Sequence, residues 1–222
     1  FQAKPQLGYQ ISAWVVNGQS QPASQTLTIP LSDTPISVEA QFSEITDVLV
    51  INEINYNSSD EFGTGDWVEI FNTMDEPVDV SGWVFKDQVD SNSFVIPNNT
   101  ILEAFGYLVI ADDTTKLKSI NSDARNYIGD FSFNLSGSGE ELRLFNDQGG
   151  LVDVVTYSDD APWPIEADGD GSTLELTDAS SDNTLAASWM ASSRLGGTPG
   201  WANGTVPVSI ENEGKDSPDS FV

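Results

Sequence analysis

The fold is decided by residues 48–87, VLVINEINYNSSDEFGTGDWVEIFNTMDEPVDVSGWVFKD. This stretch holds three apolar segments, rich in β-branched and aromatic residues and separated by Gly, Asp and Pro. Such segments favour strands, and the separators favour turns. The pattern predicts three successive strands. The residues predicted to share one face of the first strand, by their alternation with more polar ones, are Val48, Val50, Ile54 and Tyr56.

The same pattern continues toward the carboxyl end. The clearest hairpin is ELRLFN and LVDVVTY, joined by the turn DQGG at 147–150. Only Thr114 to Ser122 is predicted as a short helix. Many short strands with almost no helix indicate a β-sandwich. The later strands are predicted at Ser93 to Ile96, Tyr107 to Ile110, Glu141 to Phe145, Leu151 to Thr156 and Ser172 to Leu176.

The two ends of the chain differ in composition from its middle. Three short strands are predicted near the start, at Gln10 to Val16, Gln25 to Ile29 and Ile36 to Phe42. Beyond Gly204 the sequence is charged and does not alternate, which is typical of a linker. We therefore predict three parts: a small β module over 1–43, a main domain over 44–203 and an acidic linker over 204–222. The first strand of the main domain is predicted to begin at Asp47 or Val48.

Charge excludes several kinds of partner. The chain has 222 residues and a formal net charge of −27, which repels phosphate backbones and anionic membrane surfaces. We therefore expect no nucleic-acid binding. No window is apolar over the length that a membrane helix needs, so we expect no membrane insertion. With 38% apolar residues the chain can form a substantial core, and we expect a soluble monomer cut from a longer protein.

The chain contains neither histidine nor cysteine. This absence excludes Ser-His-Asp and Cys-His catalysis, His-ligated metals, Cys-ligated zinc and disulfides. Carboxylates remain the only acid and base groups that are abundant. We therefore expect that the protein is not an enzyme and needs no cofactor. A glycoside hydrolase that uses a pair of carboxylates stays open as a remote alternative.

Seven short motifs occur in a fixed order along the chain. They are INEINYN, DWVEIFN, VSGWVFKD, FGYLVIADD, the LSGSGEELRLFNDQGGLVDVVTYSDDAPWP run, ADGDGSTLEL and GGTPGWAN. Together they resemble the lamin tail domain of secreted bacterial proteins. The resemblance covers about residues 45 to 203 and implies an immunoglobulin-like β-sandwich, used as a non-catalytic appendage in exported multidomain chains. The basic DNA-contacting surface of animal lamin tails is not carried over, because this chain is strongly acidic.

A second resemblance concerns the start of the chain. The segment AKPQLGYQISAWVVNG, followed by LTI and VEAQF, is similar to the second half of an internalin-type B-repeat. Its first strands are missing. We expect either a cut module or a remnant that leans on the main domain. The two differ in whether Tyr9, Trp14 and Phe42 are buried against residues beyond 45.

Calcium is the cation that the acidic residues suggest. Asp168 and Asp170 begin a D-x-D-G loop of the kind that calcium sites use, but the downstream Glu is missing, and a plain turn is favoured. Glu53 and Glu69 occupy equivalent places in two strand phrases and would face each other if the strands pair in register. They could then hold a cation or form an acid pair. We favour the alternative that both carboxylates point outward, at separate points of a wet face.

Other candidates lie in predicted loops. The pairs Asp112-Asp113 and Asp159-Asp160 could help to hold calcium, although such residues more often start turns. Trp163, Trp189 and Trp201 could stack on sugar rings, with Trp163 and Trp201 as the main candidates. We favour the alternative that these indoles plug the ends of the sandwich.

These observations favour an accessory module on the cell surface or outside the cell. Its role would be to space, anchor or mediate contacts for other domains of the parent chain, for other proteins or for cell-surface polysaccharide. A calcium-assisted carbohydrate-binding module is the alternative. The fold alone does not choose between them.

Overall fold

A computed structural model describes residues 1–5, 8–24, 26–45 and 49–205. The described residues form fifteen strands and one α-helix, together with two short 3₁₀ turns at Ile165–Ala167 and Ala186–Ser188. None of the described helices is both long and apolar enough to cross a membrane. The all-β prediction is confirmed, and the fold is an immunoglobulin-like β-sandwich. The predicted linker lies outside the described residues from position 206 onward.

The largest sheet has six strands and lies at the centre of the fold. Its order is β11-β10-β5-β4-β14-β15, and every neighbouring pair is antiparallel except β10 and β11. The segment 48–87 thus contains two of its central strands, β4 and β5. The strand bounds are β4 Leu49–Asn55, β5 Trp67–Asn72, β10 Tyr107–Ala111, β11 Tyr127–Gly129, β14 Leu174–Leu176 and β15 Trp189–Ala191.

A four-stranded antiparallel sheet packs on one face of the six-stranded sheet. Its order is β13-β12-β7-β8, and a two-stranded ladder, β6 with β9, completes the sandwich. The predicted hairpin forms as β12 and β13, with the predicted bounds. The strand bounds are β6 Val78–Asp79, β7 Val84–Lys86, β8 Ser93–Val95, β9 Ile101–Leu102, β12 Glu141–Phe145 and β13 Leu151–Thr156.

The main core fills the space between these two sheets. Alternate side chains of β5, Val68 and Ile70, point into it, and Phe85, the middle residue of β7, meets them from the other sheet. All three are at most 1% exposed. Burial of an aliphatic or aromatic side chain contributes about 1.5–3 kcal/mol, so each of these three residues stabilises the sandwich by about that amount.

The second face of the six-stranded sheet is covered as well. On β5, Trp67 faces away from the main core and joins a second buried cluster with Leu117 and Ala124. Leu117 belongs to the helix α1, Thr114–Ile120, which Asp113 caps through a hydrogen bond from the Lys116 amide. The predicted helix is therefore confirmed, and it ends two residues earlier than predicted. Side chains on both faces of the central sheet are buried.

The predicted face of the first strand is confirmed for Ile54 and Tyr56, which lie in the main core, and is wrong for Val50, while Val48 lies outside the described residues. Leu49 and Ile51 are 1% and 0% exposed and share the main core with Ile54, whereas Val50 is only partly buried. The cause is a register shift between Ile51 and Glu53 on β4. A bulge inserts one residue and so exchanges the faces on its two sides. As a result, Asn52 and Glu53 both lie on the second face of the sheet.

The first 45 residues form a separate three-stranded antiparallel sheet in the order β2-β1-β3. The predicted strand Gln25 to Ile29 is wrong for residues 26–29, where only Thr26 makes an isolated bridge, and Gln25 lies outside the described residues. A shorter strand follows the Asn17-Gly18 turn instead. The strand bounds are β1 Tyr9–Val16, β2 Gln19–Gln21 and β3 Val38–Glu44.

This small sheet is attached to the hairpin loop of the sandwich by polar contacts. The Gly8 amide donates to the Leu151 carbonyl at 3.1 Å, and Asn146 Nδ2 donates to Gln10 Oε1 at 3.0 Å. Tyr9 and Phe42 stay 40% and 46% exposed. Trp14 is buried, and its indole nitrogen donates within the small sheet, to the Ser24 carbonyl. The aromatic residues expected at the junction therefore do not form it.

A buried aspartate ties the two sheets of the sandwich together. Asp153 on β13 is 7% exposed, and its Oδ2 accepts from the Ile51 amide at 2.7 Å and from Asn183 Nδ2 at 2.8 Å. Burial raises the pKa of Asp153, and these hydrogen bonds oppose the rise. The bulged strand β4 is thus hydrogen-bonded to the opposite sheet through this side chain.

We expect Asp153→Ala to lower the free energy of unfolding by about 3 kcal/mol, because two buried donors lose their acceptor. Asp153→Asn retains an oxygen acceptor at the same place and should stay within about 1 kcal/mol of the natural protein. Denaturant unfolding followed by tryptophan fluorescence measures both variants. Equal losses in the two variants would contradict the role given to these hydrogen bonds.

Candidate functional site: a row of buried glutamates

Three glutamates lie side by side across the centre of the six-stranded sheet. Glu53 on β4 pairs directly with Glu69 on β5 and with Glu175 on β14. Directly opposite residues on antiparallel strands have Cβ atoms about 4.5–5.5 Å apart. All three side chains are 0% exposed. We call Glu53, Glu69 and Glu175 the acid row.

The hypothesis that Glu53 and Glu69 point outward on a wet face is therefore wrong. The strands do pair in the register that brings the two residues opposite each other. The face that they share is not wet, because a later segment of the chain covers it. This segment, residues 196–204, is called the strap, and residues 196–200 are all buried.

The strap reaches the acid row through hydrogen bonds to Glu53. The Thr198 amide donates to Glu53 Oε1 at 3.0 Å, and the Thr198 hydroxyl lies 3.0 Å from Glu53 Oε2. The hydroxyl of Thr173, just before β14, donates to Glu53 Oε1 at 2.5 Å. Both oxygens of this carboxyl are therefore occupied.

The two flanking glutamates hold the remainder of the strap. Glu69 Oε2 accepts from the Gly200 amide at 2.6 Å, and its Oε1 accepts from Asn52 Nδ2 at 2.8 Å. Glu175 Oε1 lies 3.0 Å from the Thr198 hydroxyl, and its Oε2 accepts from the Gly204 amide at 3.1 Å. Backbone amides at 198, 200 and 204 thus donate to three carboxyls in a row.

The other side of the strap is held by the loop that follows α1. Arg194, just before the strap, forms a two-pronged ion pair with Asp123 at 2.6 and 2.7 Å. The guanidinium of Arg125 lies 3.2 Å from the centre of the Trp201 ring, and its Nε donates to the Gly200 carbonyl at 2.9 Å. The strap is therefore fixed between the acid row and this loop.

Glycine is required at two positions of the strap. Gly197 and Gly200 have φ of +70° and +86°, a region that other residues rarely adopt. A Cβ at Gly197 would collide with Glu53 Oε1, and one at Gly200 would collide with the Arg125 carbonyl. The motif GGTPGWAN therefore contains glycine at these two positions, because its backbone lies directly against a carboxyl and another segment of backbone.

Burial dominates the electrostatics of the acid row. It raises the pKa of Glu53 from its ordinary 4.5 to about 8, and the negative charge of Glu175 adds to the rise. Burial likewise raises the pKa of Glu69 well above the ordinary range, with a further contribution from Glu53, and it raises the pKa of Glu175. The hydrogen bonds from the strap oppose these rises. The protonated forms of these acids are therefore favoured.

The acid row has the residue types of a catalytic carboxylate pair but lacks access. Each carboxyl is 0% exposed, and its oxygens are hydrogen-bonded to the strap or to neighbouring side chains. A substrate would have to displace the strap to reach them. In this arrangement the glutamates hold a segment of the chain in place.

The predicted calcium loop lies apart from the acid row and is open to solvent. Asp168 and Asp170 are both exposed, and Asp168 Oδ1 accepts from Asn57 Nδ2 at 2.7 Å. The described residues contain no group of three or more acidic side chains placed to hold a metal ion. Calcium binding by Asp168, Asp170, Glu53 and Glu69 stays a prediction.

A polar cleft of about 500 Å³ lies at one end of the sandwich, lined by Asp66, Asp112, Lys116 and Tyr56 among others. Burial raises the pKa of Asp66 to about 6, while a hydrogen bond from the Leu135 amide opposes the rise. The Tyr56 hydroxyl and Asp112 Oδ1 are buried and have no hydrogen-bond partner among the described residues. Of the other predicted loop acids, Asp113 caps α1. Asp160 lies in a turn, where its amide donates to the Ser158 hydroxyl.

The tryptophans proposed for sugar stacking are packed rather than displayed. Trp163 is 9% exposed, and its ring lies 5.9 Å from that of Trp189. Trp201 is covered by the Arg125 guanidinium, and its indole nitrogen donates to the Asp123 carbonyl at 3.0 Å. Ligand binding by Trp163 and Trp201 stays a prediction, and it would require these rings to become uncovered.

Sequence reasoning missed two of the residues that build the site. Neither Glu175 nor Thr198 is predicted as a site residue from the sequence. Both stand in short motifs, STLEL and GGTPG, whose polar residues break an apolar context. Glu175 is followed by an apolar residue within a strand, as Glu53 and Glu69 are, and this repeated pattern was the signal that could have placed Glu175 beside them.

The fold and the covered acid row define an immunoglobulin-like β-sandwich whose second face is closed by the strap. A comparison with protein families matches the lamin tail domain over residues 43–159, which is more than half of the chain. The chain belongs to the lamin tail domain family. The resemblance to the lamin tail domain is thereby confirmed for this part of the chain, while the secreted bacterial type and the internalin-type B-repeat stay predictions.

Other comparisons add little. No curated protein matches the chain. Among solved structures, the chain is similar to a DUF4876 family protein from Bacteroides thetaiotaomicron, with 13% identity and a TM-score of 0.34. The match covers 65% of this chain and 51% of that protein, so it spans about half of the other protein. A likeness this weak supports no conclusion about function.

The strap contact can be tested at Thr198. We expect Thr198→Val to lower the free energy of unfolding by about 2–3 kcal/mol, because it removes a hydroxyl shared by two buried carboxyls and keeps the side-chain shape. Thr198→Ser, which keeps the hydroxyl, should stay within about 1 kcal/mol. Urea denaturation measures both variants. A valine variant as stable as the natural protein would contradict the contact.

Proposed function

We propose that this protein is a non-catalytic spacer module of a larger protein that works outside the cell or at its surface. It fixes the geometry between the segment that precedes it and the segment that follows it. Its partners are then the neighbouring domains of its parent chain, and it requires no cofactor. The observation that supports this most directly is that both ends of the sandwich are pinned to its body.

The amino-terminal attachment is short but specific. Ile45 and Gln10 lie against Gly150 of the hairpin loop, where an added Cβ would come within 2.9 Å of each of them. The Gly8 amide donates to the Leu151 carbonyl at the end of this loop, and Gln10 Oε1 accepts from Asn146 Nδ2 at its start. This contact sets the direction of the three-stranded sheet relative to the sandwich.

The carboxyl-terminal attachment is the strap. It is bound to three strands on one side and to the loop at 121–126 on the other, so the chain leaves the domain near Thr205 from a fixed point. A spacer needs this combination, because a domain with loose ends transmits no orientation to its neighbours.

The net charge of −27 supports an external location. Strong negative charge keeps a protein soluble and suppresses nonspecific contact with anionic surfaces. The covered acid row supports the non-catalytic role, since its carboxyls are closed to substrates.

The spacer role predicts one fixed geometry between the two sheets on either side of the junction. Because the chain has no cysteine, spin labels can be placed at will. We expect the variant Gln41→Cys with Met190→Cys, both at exposed strand positions, to give a single narrow distance distribution in double electron–electron resonance.

The control uses two glycine variants of the labelled protein. Gly150→Val should broaden the distribution, because its side chain would collide with Gln10 and Ile45. Gly137→Val is the matched control, since a Cβ at Gly137 meets nothing closer than 3.9 Å, and it should leave the distribution narrow. A broad distribution in the unsubstituted labelled protein would refute the spacer role.

A further inference from the structure

The Thr198 hydroxyl lies within hydrogen-bond distance of two carboxyls but carries only one hydrogen. Its oxygen lies 3.0 Å from Glu53 Oε2 and 3.0 Å from Glu175 Oε1. A hydroxyl has one hydrogen and can donate to one acceptor at a time. If both carboxyls were ionised, one of these contacts would bring two oxygens together without a hydrogen between them. Both contacts are satisfied only when one of the carboxyls carries a proton and donates it to the hydroxyl oxygen.

Among the described residues, no basic side chain forms an ion pair with the acid row that would neutralise its carboxylates without a proton. In residues 49–205, no Lys or Arg nitrogen lies within 4.0 Å of a carboxyl of the acid row. Arg194 feels the charge of Glu53, but its guanidinium is paired with Asp123. Arg125 packs on Trp201, and Tyr107 on β10, beside Glu69, is neutral at ordinary pH.

We propose that the acid row is a proton-operated latch, in which a proton shared by Glu53 and Glu175 through the Thr198 hydroxyl holds the strap and its loss releases the strap. The latch goes beyond the spacer role and does not depend on it. Its effect would be to free the carboxyl-terminal exit of the domain when the surroundings become alkaline.

The direction of the pH effect follows from the raised pKa values. The folded protein holds a proton on Glu53 up to about pH 8, whereas the unfolded chain releases it near the ordinary pKa of 4.5. The folded state therefore binds more protons between these values, and the latch weakens as the pH rises through this interval. Below about 4.5 both states are protonated, so this contribution is fully present.

A glutamine at position 53 mimics the latched state permanently. Its amide NH₂ can donate to the Thr198 hydroxyl, as the protonated carboxyl does, and its carbonyl oxygen can accept from Thr173 and from the Thr198 amide. The hydroxyl is then free to donate to Glu175. Glu53→Gln should therefore keep the strap in place at every pH.

The test is hydrogen–deuterium exchange of the full chain, read by mass spectrometry on peptides that cover 196–205 and corrected for the intrinsic effect of pH on exchange. In the natural protein, we expect the protection of this segment to fall at least about tenfold between about pH 5 and about pH 9. Peptides from β12 should keep their protection, which shows that the sandwich itself stays folded.

Three further arms decide the outcome. Glu53→Gln should retain protection at about pH 9, while the matched change Glu166→Gln, at an exposed glutamate, should behave as the natural protein does. Calcium added at the alkaline pH should restore nothing. The proposal is overturned if protection of 196–205 in the natural protein does not change with pH, if Glu53→Gln loses it at the same pH, or if calcium restores it.

Discussion

The contact between the acid row and the strap is the constraint on which the rest of this structure depends. Strands β4, β5 and β14 have apolar side chains toward the main core, but their other face carries three glutamates. Isolated ionised carboxylates cannot be buried without a large desolvation penalty. The strap resolves this by supplying one backbone amide donor to each of them, from residues 198, 200 and 204. It therefore covers the face and also makes the burial of the acids possible.

The strap in turn explains features that lie far from it in the sequence. Its glycines allow the backbone to approach the carboxyls, and the loop at 121–126 is held in position because Asp123 and Arg125 bind the strap from outside. Helix α1 immediately precedes that loop and covers the neighbouring part of the same sheet face through Leu117. The second layer of the domain thus joins the polar contacts of the strap to a small apolar cluster around Trp67 and Leu117.

The fold could be predicted from the sequence because its information is local. Alternating apolar residues at 67–72, 141–145 and 151–156 specify strands wherever the chain places them, and the turns between them follow from Gly, Asp and Asn. The site could not be predicted in the same way. A single bulge after Ile51 places Leu49 and Ile51 in the main core, where strict alternation from Ile54 would not put them, and leaves Asn52 and Glu53 together on the second face. The cover over that face comes from residues more than 140 positions later, as in the bond from Thr198 to Glu53, and no local pattern reports a contact at such a distance.

An apolar row at these three positions would also fill the space, and buried acids are commonly no more stabilising than well-packed apolar residues. What the acids add is selectivity for the segment that binds them. Apolar side chains at these positions could pack against an apolar segment in several registers. Three carboxyls at fixed strand spacing instead require hydrogen-bond donors at the matching positions, which the strap supplies at 198, 200 and 204. The acid row therefore specifies the register of the last segment of the domain, and because its members are titratable, that specification depends on the proton in a way that an apolar core cannot.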